Sequence, residues 1–183
     1  MLSKRIIACL DVRNGQVVKG VNFEGLRQAG DPAVLARRYN IEGIDEIVIL
    51  DVTATMEARQ ARAHTIAAVA GEIFLPLTVG GGIRNENDAA AAIDAGADKV
   101  SLNTAALSDP SLITTLAGRY GSQAVIVAID AKQDTRVKPD STSSDGGVEP
   151  RYSVFAGADR PRPRAMRWSG PARPPTGGRV RSS

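Results

Sequence analysis

Short apolar runs rich in β-branched residues recur along the first 132 residues, at 6–10, 46–50, 75–79, Lys99–Leu102 and 124–129. Near-continuous apolarity of this kind marks parallel strands buried on both faces. Helix patterns fill the gaps. Asp31-Pro32 sets a capping carboxylate before a proline at the first helical position, which predicts a helix running to about Asn40. A second helix is expected over 57–70, stopped by Gly71, and a third over 87–95, capped by Asn85 and ending near Gly96. Ser108 is expected to cap a fourth, with Pro110 early in its first turn.

Strand–helix alternation at this spacing predicts a parallel sheet with right-handed crossovers, either a barrel or a doubly wound sheet. Two features favour an α/β barrel of the (β/α)8 TIM type. The strands end in residues able to do chemistry: Asp11, Asp51, the triplet Gly80-Gly81-Gly82, Asn103-Thr104 and Asp130. The segment Ile6-Ile7-Ala8-Cys9-Leu10-Asp11 is also echoed by Val125-Ile126-Val127-Ala128-Ile129-Asp130, as expected of a barrel built from two similar halves. Only five strand–helix units are legible, whereas such a barrel typically needs about 250 residues. An incomplete barrel is therefore expected over 1–132, followed by a loop or hairpin over 133–155 and a disordered tail over 156–183. Tyr152–Phe155 alone has the look of an extended segment.

Charge sharpens that division. The net charge is +3, but residues 151–183 hold 8 Arg against the single acidic Asp159, which leaves residues 1–150 at 15 basic against 19 acidic, or −4. The tail has neither interleaved aromatics (Trp168 stands alone) nor an amphipathic pattern, so no nucleic-acid partner is expected. Its Arg, Pro and Gly read like a GC-rich coding sequence translated out of frame, which predicts a truncation or frameshift near Phe155. A lone cysteine, Cys9, and the lack of a long apolar run predict a cytoplasmic protein with no membrane segment.

Several motifs, in order and in register, carry a resemblance. Lys4-Arg5-Ile6-Ile7-Ala8-Cys9-Leu10-Asp11-Val12 and Val17-Val18-Lys19-Gly20 open it. Thr78-Val79-Gly80-Gly81-Gly82-Ile83-Arg84, then Ala97-Asp98-Lys99-Val100-Ser101-Leu102-Asn103-Thr104-Ala105, continue it. Gly121-Ser122-Gln123-Ala124-Val125 leading to Ile129-Asp130-Ala131-Lys132 closes it. Over residues 1–132 the chain resembles the ammonia-using cyclase subunit of imidazole glycerol phosphate synthase, a lyase of histidine biosynthesis.

The resemblance implies Asp11 and Asp130 as the general acid and base, and alternation places Arg5, Ile7, Cys9 and Asp11 on one strand face. It implies that Gly81, Gly82, Ser101, Asn103 and Thr104 hold one phosphate of a bisphosphate ribonucleotide, with Lys19, on a long loop after the first strand, touching substrate. Arg5, Glu46 and Lys99 are implied to ring the point where ammonia enters, and Asp98 to help dock a glutamine amidotransferase (glutaminase) subunit as heterodimer. Plainer readings exist for each: loop caps for the aspartates, a tight turn for the glycines, solvated or paired charges at the strand starts. Asp51 and Thr78, read as ending strands, are expected to line the site, and Asp51 equally reads as a structural hydrogen-bond acceptor. No cofactor is implied, and isolated His64 suggests no metal site. Two other readings stay open: the sister isomerase of the same pathway, with similar half-barrel repeats and paired aspartates, and a non-catalytic half-barrel fragment.

Overall fold

In the computed structural model, which describes residues 4–21, 24–53, 58–133 and 152–155, five parallel strands run through the first of two compact units, Met1–Ala128. They are β1 (Ile7–Arg13), β4 (Glu46–Asp51), β5 (Leu77–Gly80), β6 (Lys99–Leu102) and β7 (Val125–Val127). An antiparallel hairpin, β2 (Gln16–Val21) and β3 (Glu24–Gly30), extends the β1 edge, giving the order β3-β2-β1-β4-β5-β6-β7. Each parallel strand up to β6 is followed by helix: α1 (Pro32–Glu42), α2 (Ala58–Ala70), α3 (Glu86–Asp94), then α4 (Thr104–Ser108) and α5 (Ser111–Tyr120). Consecutive parallel strand–helix units of this kind form part of a (β/α) barrel. The second unit, Ile129–Ser183, contains a separate hairpin of β8 (Asp130–Gln133) with β9 (Tyr152–Phe155).

The helices start where local chemistry directs. Asp31 accepts from the N–H groups of Ala33 and Val34 at 2.9 and 3.1 Å, and Gly43 closes α1 in the left-handed region. Asn85 accepts from Asp88 N at 3.0 Å to open α3. For α5 the expectation needs correcting: Ser108 ends the short helix α4, and Asp109 takes the capping role, its carboxylate accepting from Ser111 N at 3.0 Å. An ionised acceptor satisfies the first-turn N–H better than a serine hydroxyl would.

One sheet face is covered by helices. Leu10, Val12, Ile47, Ile49, Leu77, Val79, Val100 and Leu102 point into it, meeting Ala36 of α1, Ile66 and Val69 of α2, Ala89 and Ala92 of α3, and Leu112 and Leu116 of α5. Full burial of each Leu, Ile or Val stabilises by about 1.5–3 kcal/mol, so this seam dominates the fold's stability. Parallel register fixes the other face: Cys9 lies beside Val48, and Asp11 beside Leu50, which in turn lies beside Gly80. That face is open among the described residues, and Ile7 on it is 47% exposed.

Two further expectations move. The loop expected after the first strand is the β2–β3 hairpin, and Lys19 sits exposed within β2, paired with Arg27. The third parallel strand begins at Leu77 rather than at residue 75, because Pro76 cannot donate to a ladder. The expected disorder of 156–183, the loop after residue 133 and the frameshift reading lie outside the described residues. Among the described residues no helix is long and apolar enough to cross a membrane.

Candidate functional site

The open face and the two ends of the parallel strands hold the residues singled out above. At the C-terminal end of β1, Asp11 shares its face with Cys9 and Ile7, as alternation predicts. Desolvation raises the Asp11 carboxyl above the usual aspartate range. Desolvation and the Asp11 charge together raise the Cys9 thiol.

Across the sheet, Gly80 pairs with Ser101, which is buried. A Cβ on Gly80 would sit 2.8 Å from Leu50 Cδ2 and 3.0 Å from Ser101 Cβ, so glycine lets these strands close up. The chain then turns through two left-handed residues, Gly81 at φ +81° and Gly82 at φ +66°. On the neighbouring strand Asn103 is the N-cap residue of α4 and Thr104 its first residue. Backbone N–H groups of a double-glycine turn beside a helix start suit an anionic oxygen.

Asp51 does not join this face. Its register partner is Val12, so it points to the helix-covered side, where its carboxylate binds Arg62 Nε of α2 at 2.8 Å and accepts from Thr53 N at 2.8 Å. Of the two readings left open for Asp51, the structural one holds. Asp130, expected to end the fifth parallel strand, instead opens β8, because β7 stops at Val127.

The opposite strand ends hold a compact charge cluster. Glu46, 2% exposed, receives Arg5 Nη1 at 3.2 Å, Lys99 Nζ at 2.9 Å and the Thr78 hydroxyl at 2.7 Å. Side chains of β5, β6 and the segment just ahead of β1 thus converge on one carboxylate of β4. Burial pushes that carboxyl up, but hydrogen bonds from Lys99 and Thr78 and the charges of Lys99 and Arg5 outweigh it, leaving it below the usual glutamate range. Thr78 therefore belongs to this cluster and not to a strand's C-terminal end. Asp98 lies at the same end, its carboxylate accepting from Leu77 N at 2.8 Å. Asp45 does the same for Ile6 N at 2.6 Å. Beside Asp98 an open cavity of about 340 Å³ is bounded by Ile73, Pro76 and Phe74, and Phe74 is 100% exposed.

Sequence reasoning missed Arg62 and Phe74. Arg62 carries no local signal, lying 11 residues from the aspartate it binds. Phe74 had one: a large aromatic in the short segment between α2 and the Pro76 that precedes β5. Among the described residues no group of three or more His, Cys, Asp or Glu could hold a metal ion.

The family model for histidine biosynthesis proteins matches residues 5–158, taking in both strand ends, the glycine turn and the β8–β9 hairpin. With parallel strand–helix units carrying these motifs, the chain belongs to the histidine biosynthesis protein family of barrel enzymes.

Proposed function

We propose that this chain is the cyclase subunit of imidazole glycerol phosphate synthase. In that reaction ammonia and a phosphoribulosyl-formimino aminoimidazole carboxamide ribonucleotide give imidazole glycerol phosphate and aminoimidazole carboxamide ribonucleotide. Asp11 and Asp130 serve as general acid and base for ring closure and cleavage, and the raised carboxyl of Asp11 suits proton exchange nearer neutrality. Gly81 and Gly82, with Ser101, Asn103 and Thr104, hold one phosphate, and Lys19 contacts substrate. A glutaminase subunit docks on the strand-start face, over Asp98.

The observation that carries this reading over the sister isomerase is the Glu46 cluster with its two cations. An isomerase takes no second reactant through the bottom of its barrel. A buried carboxylate gripped by Arg5 and Lys99 is a polar threshold at the point where a small, hydrogen-bonding reactant would enter.

The test supplies the full chain with the bisphosphate ribonucleotide and ammonium salts, following imidazole glycerol phosphate. Ammonia-dependent product is the expected result. Ribose isomerisation of the aldose precursor without ammonia would assign the sister isomerase. Phosphate binding without either turnover would assign a non-catalytic barrel fragment.

A further inference from the structure

We infer that Arg62 is a positioning residue for the phosphate-holding turn, acting from behind the sheet; the inference rests on the reading of Gly81 and Gly82 as that turn. Arg62 projects from α2 with its side chain only 9% exposed, and the Asp51 side chain it binds is 7% exposed. Its guanidinium makes two kinds of contact at once. Nε donates to Asp51 Oδ2 at 2.8 Å, and Nη1 donates to the carbonyl of Gly82 at 3.3 Å. A planar fork joins the carboxylate and the carbonyl through two separate nitrogens, a geometry that the single nitrogen of an ammonium does not reproduce.

The glycines show how closely the turn is pressed onto this pair. A Cβ on Gly82 would strike Arg62 Nη2 and lie 3.1 Å from its Cζ. A Cβ on Gly81 would strike the Asp51 carbonyl oxygen and lie 2.7 Å from Asp51 N. Gly81 is thus pressed against the Asp51 backbone and Gly82 against the Arg62 guanidinium, and both lie in the left-handed region that favours glycine. Further along, buried Asp88 accepts from Arg84 N at 3.0 Å and fixes the exit into α3.

Two successive left-handed glycines are the most freely varying backbone in a chain, and such a turn left unsupported samples many shapes. An anion site needs its N–H groups aimed before the anion arrives. The Asp88 contact secures the exit, and Arg62 secures the Gly82 carbonyl, which fixes the peptide plane that follows it. The carboxylate of Asp51 balances most of the guanidinium charge. Arg62 therefore acts mainly through geometry, and its removal should weaken phosphate binding without altering the anion's direct donors.

The test uses the full chain and glycerol 3-phosphate as probe, with affinity read by titration calorimetry and folding by thermal unfolding. Arg62→Met should bind glycerol 3-phosphate about tenfold more weakly, the loss expected for one positioning hydrogen bond. Arg62→Lys should recover only part of that loss. The double variant Asp51→Leu/Arg62→Met removes both charges and leaves neither one buried alone, so it should unfold near the parent temperature. Its phosphate affinity should nevertheless stay as weak as that of Arg62→Met. If the double variant regains parental affinity along with parental stability, Arg62 is only a structural partner and the inference fails alone. If the parent chain binds no glycerol 3-phosphate, the phosphate-turn reading fails and this inference with it.

Discussion

Cys9 and Asp11 lie two residues apart on one strand face, and each is harder to ionise than in water. The folded value of Asp11 lies above its unfolded value. Its contribution to stability is full below the ordinary aspartate range, about 3.9, and is lost as pH rises through the folded value. Ionising Asp11 thus works against the fold, as expected of a group proposed to transfer protons. Asp11→Asn should unfold at an equal or slightly higher temperature at pH 7, with the gain vanishing in acid, while ammonia-dependent turnover falls by about 10²–10⁴. Cys9 supplies a second readout. Its alkylation by iodoacetamide should rise with a midpoint above the usual thiol range of about 8.5, and Asp11→Asn should lower that midpoint. A midpoint indifferent to the substitution would remove Asp11 from beside Cys9. Strict alternation made this pair legible in the sequence. It could equally have excluded Asp51, since being last in a strand says nothing about which face a residue takes, and the pairing of Val12 with Asp51 turns it towards the helices.

Among the elements, the strand starts carry the most buried charge. Glu46 of β4 accepts from Thr78 of β5 and Lys99 of β6, and binds Arg5 just ahead of β1. Glu46→Ala strands the buried Thr78 hydroxyl and leaves Lys99 uncompensated, at a cost of about 3 kcal/mol. Because the Glu46 carboxyl is lowered on folding, its contribution is full above the ordinary glutamate range and is lost as pH falls through the folded value. Urea unfolding should show a constant gap between parent and variant above about pH 4.3, narrowing in stronger acid. A gap unchanged down to pH 2 would contradict the charged cluster. The position of these charges at the strand starts was readable from the sequence, but their convergence on Glu46 depends on parallel register. The turn from β1 into β2 was readable too. Asn14-Gly15, at φ +51° and +75°, is the two-residue turn that joins β1 to β2, with Arg13 opposite Gln16.

At the scale of the whole molecule, the core unit Met1–Ala128 offers two unlike ends. One bears Asp11 and the glycine turn; the other bears the Glu46 cluster and the open groove beside Asp98. The family motifs announced both ends in the sequence, because their residues fall at strand termini. The groove was less legible, since it is formed by the backbone path through Pro76 and not by any motif. A fully exposed phenylalanine gains nothing for the isolated fold, so its substitution can test the proposed docking without disturbing the core. Asp98 is a poor probe of docking, because its carboxylate also holds Leu77 N and its loss would disturb β5. Phe74 is the cleaner one: substitution at so exposed a site should change stability by no more than about 0.5 kcal/mol. Phe74→Ser should therefore keep the parent's unfolding temperature and its turnover with ammonium salts. Its affinity for the proposed glutaminase subunit should fall at least about thirtyfold, as for an aromatic anchor worth about 2 kcal/mol. Glutamine-driven turnover should fall with it at limiting partner concentration and recover at saturation. Unchanged affinity would move the proposed docking surface away from the groove while leaving the proposed ammonia chemistry at the other end of the strands untouched.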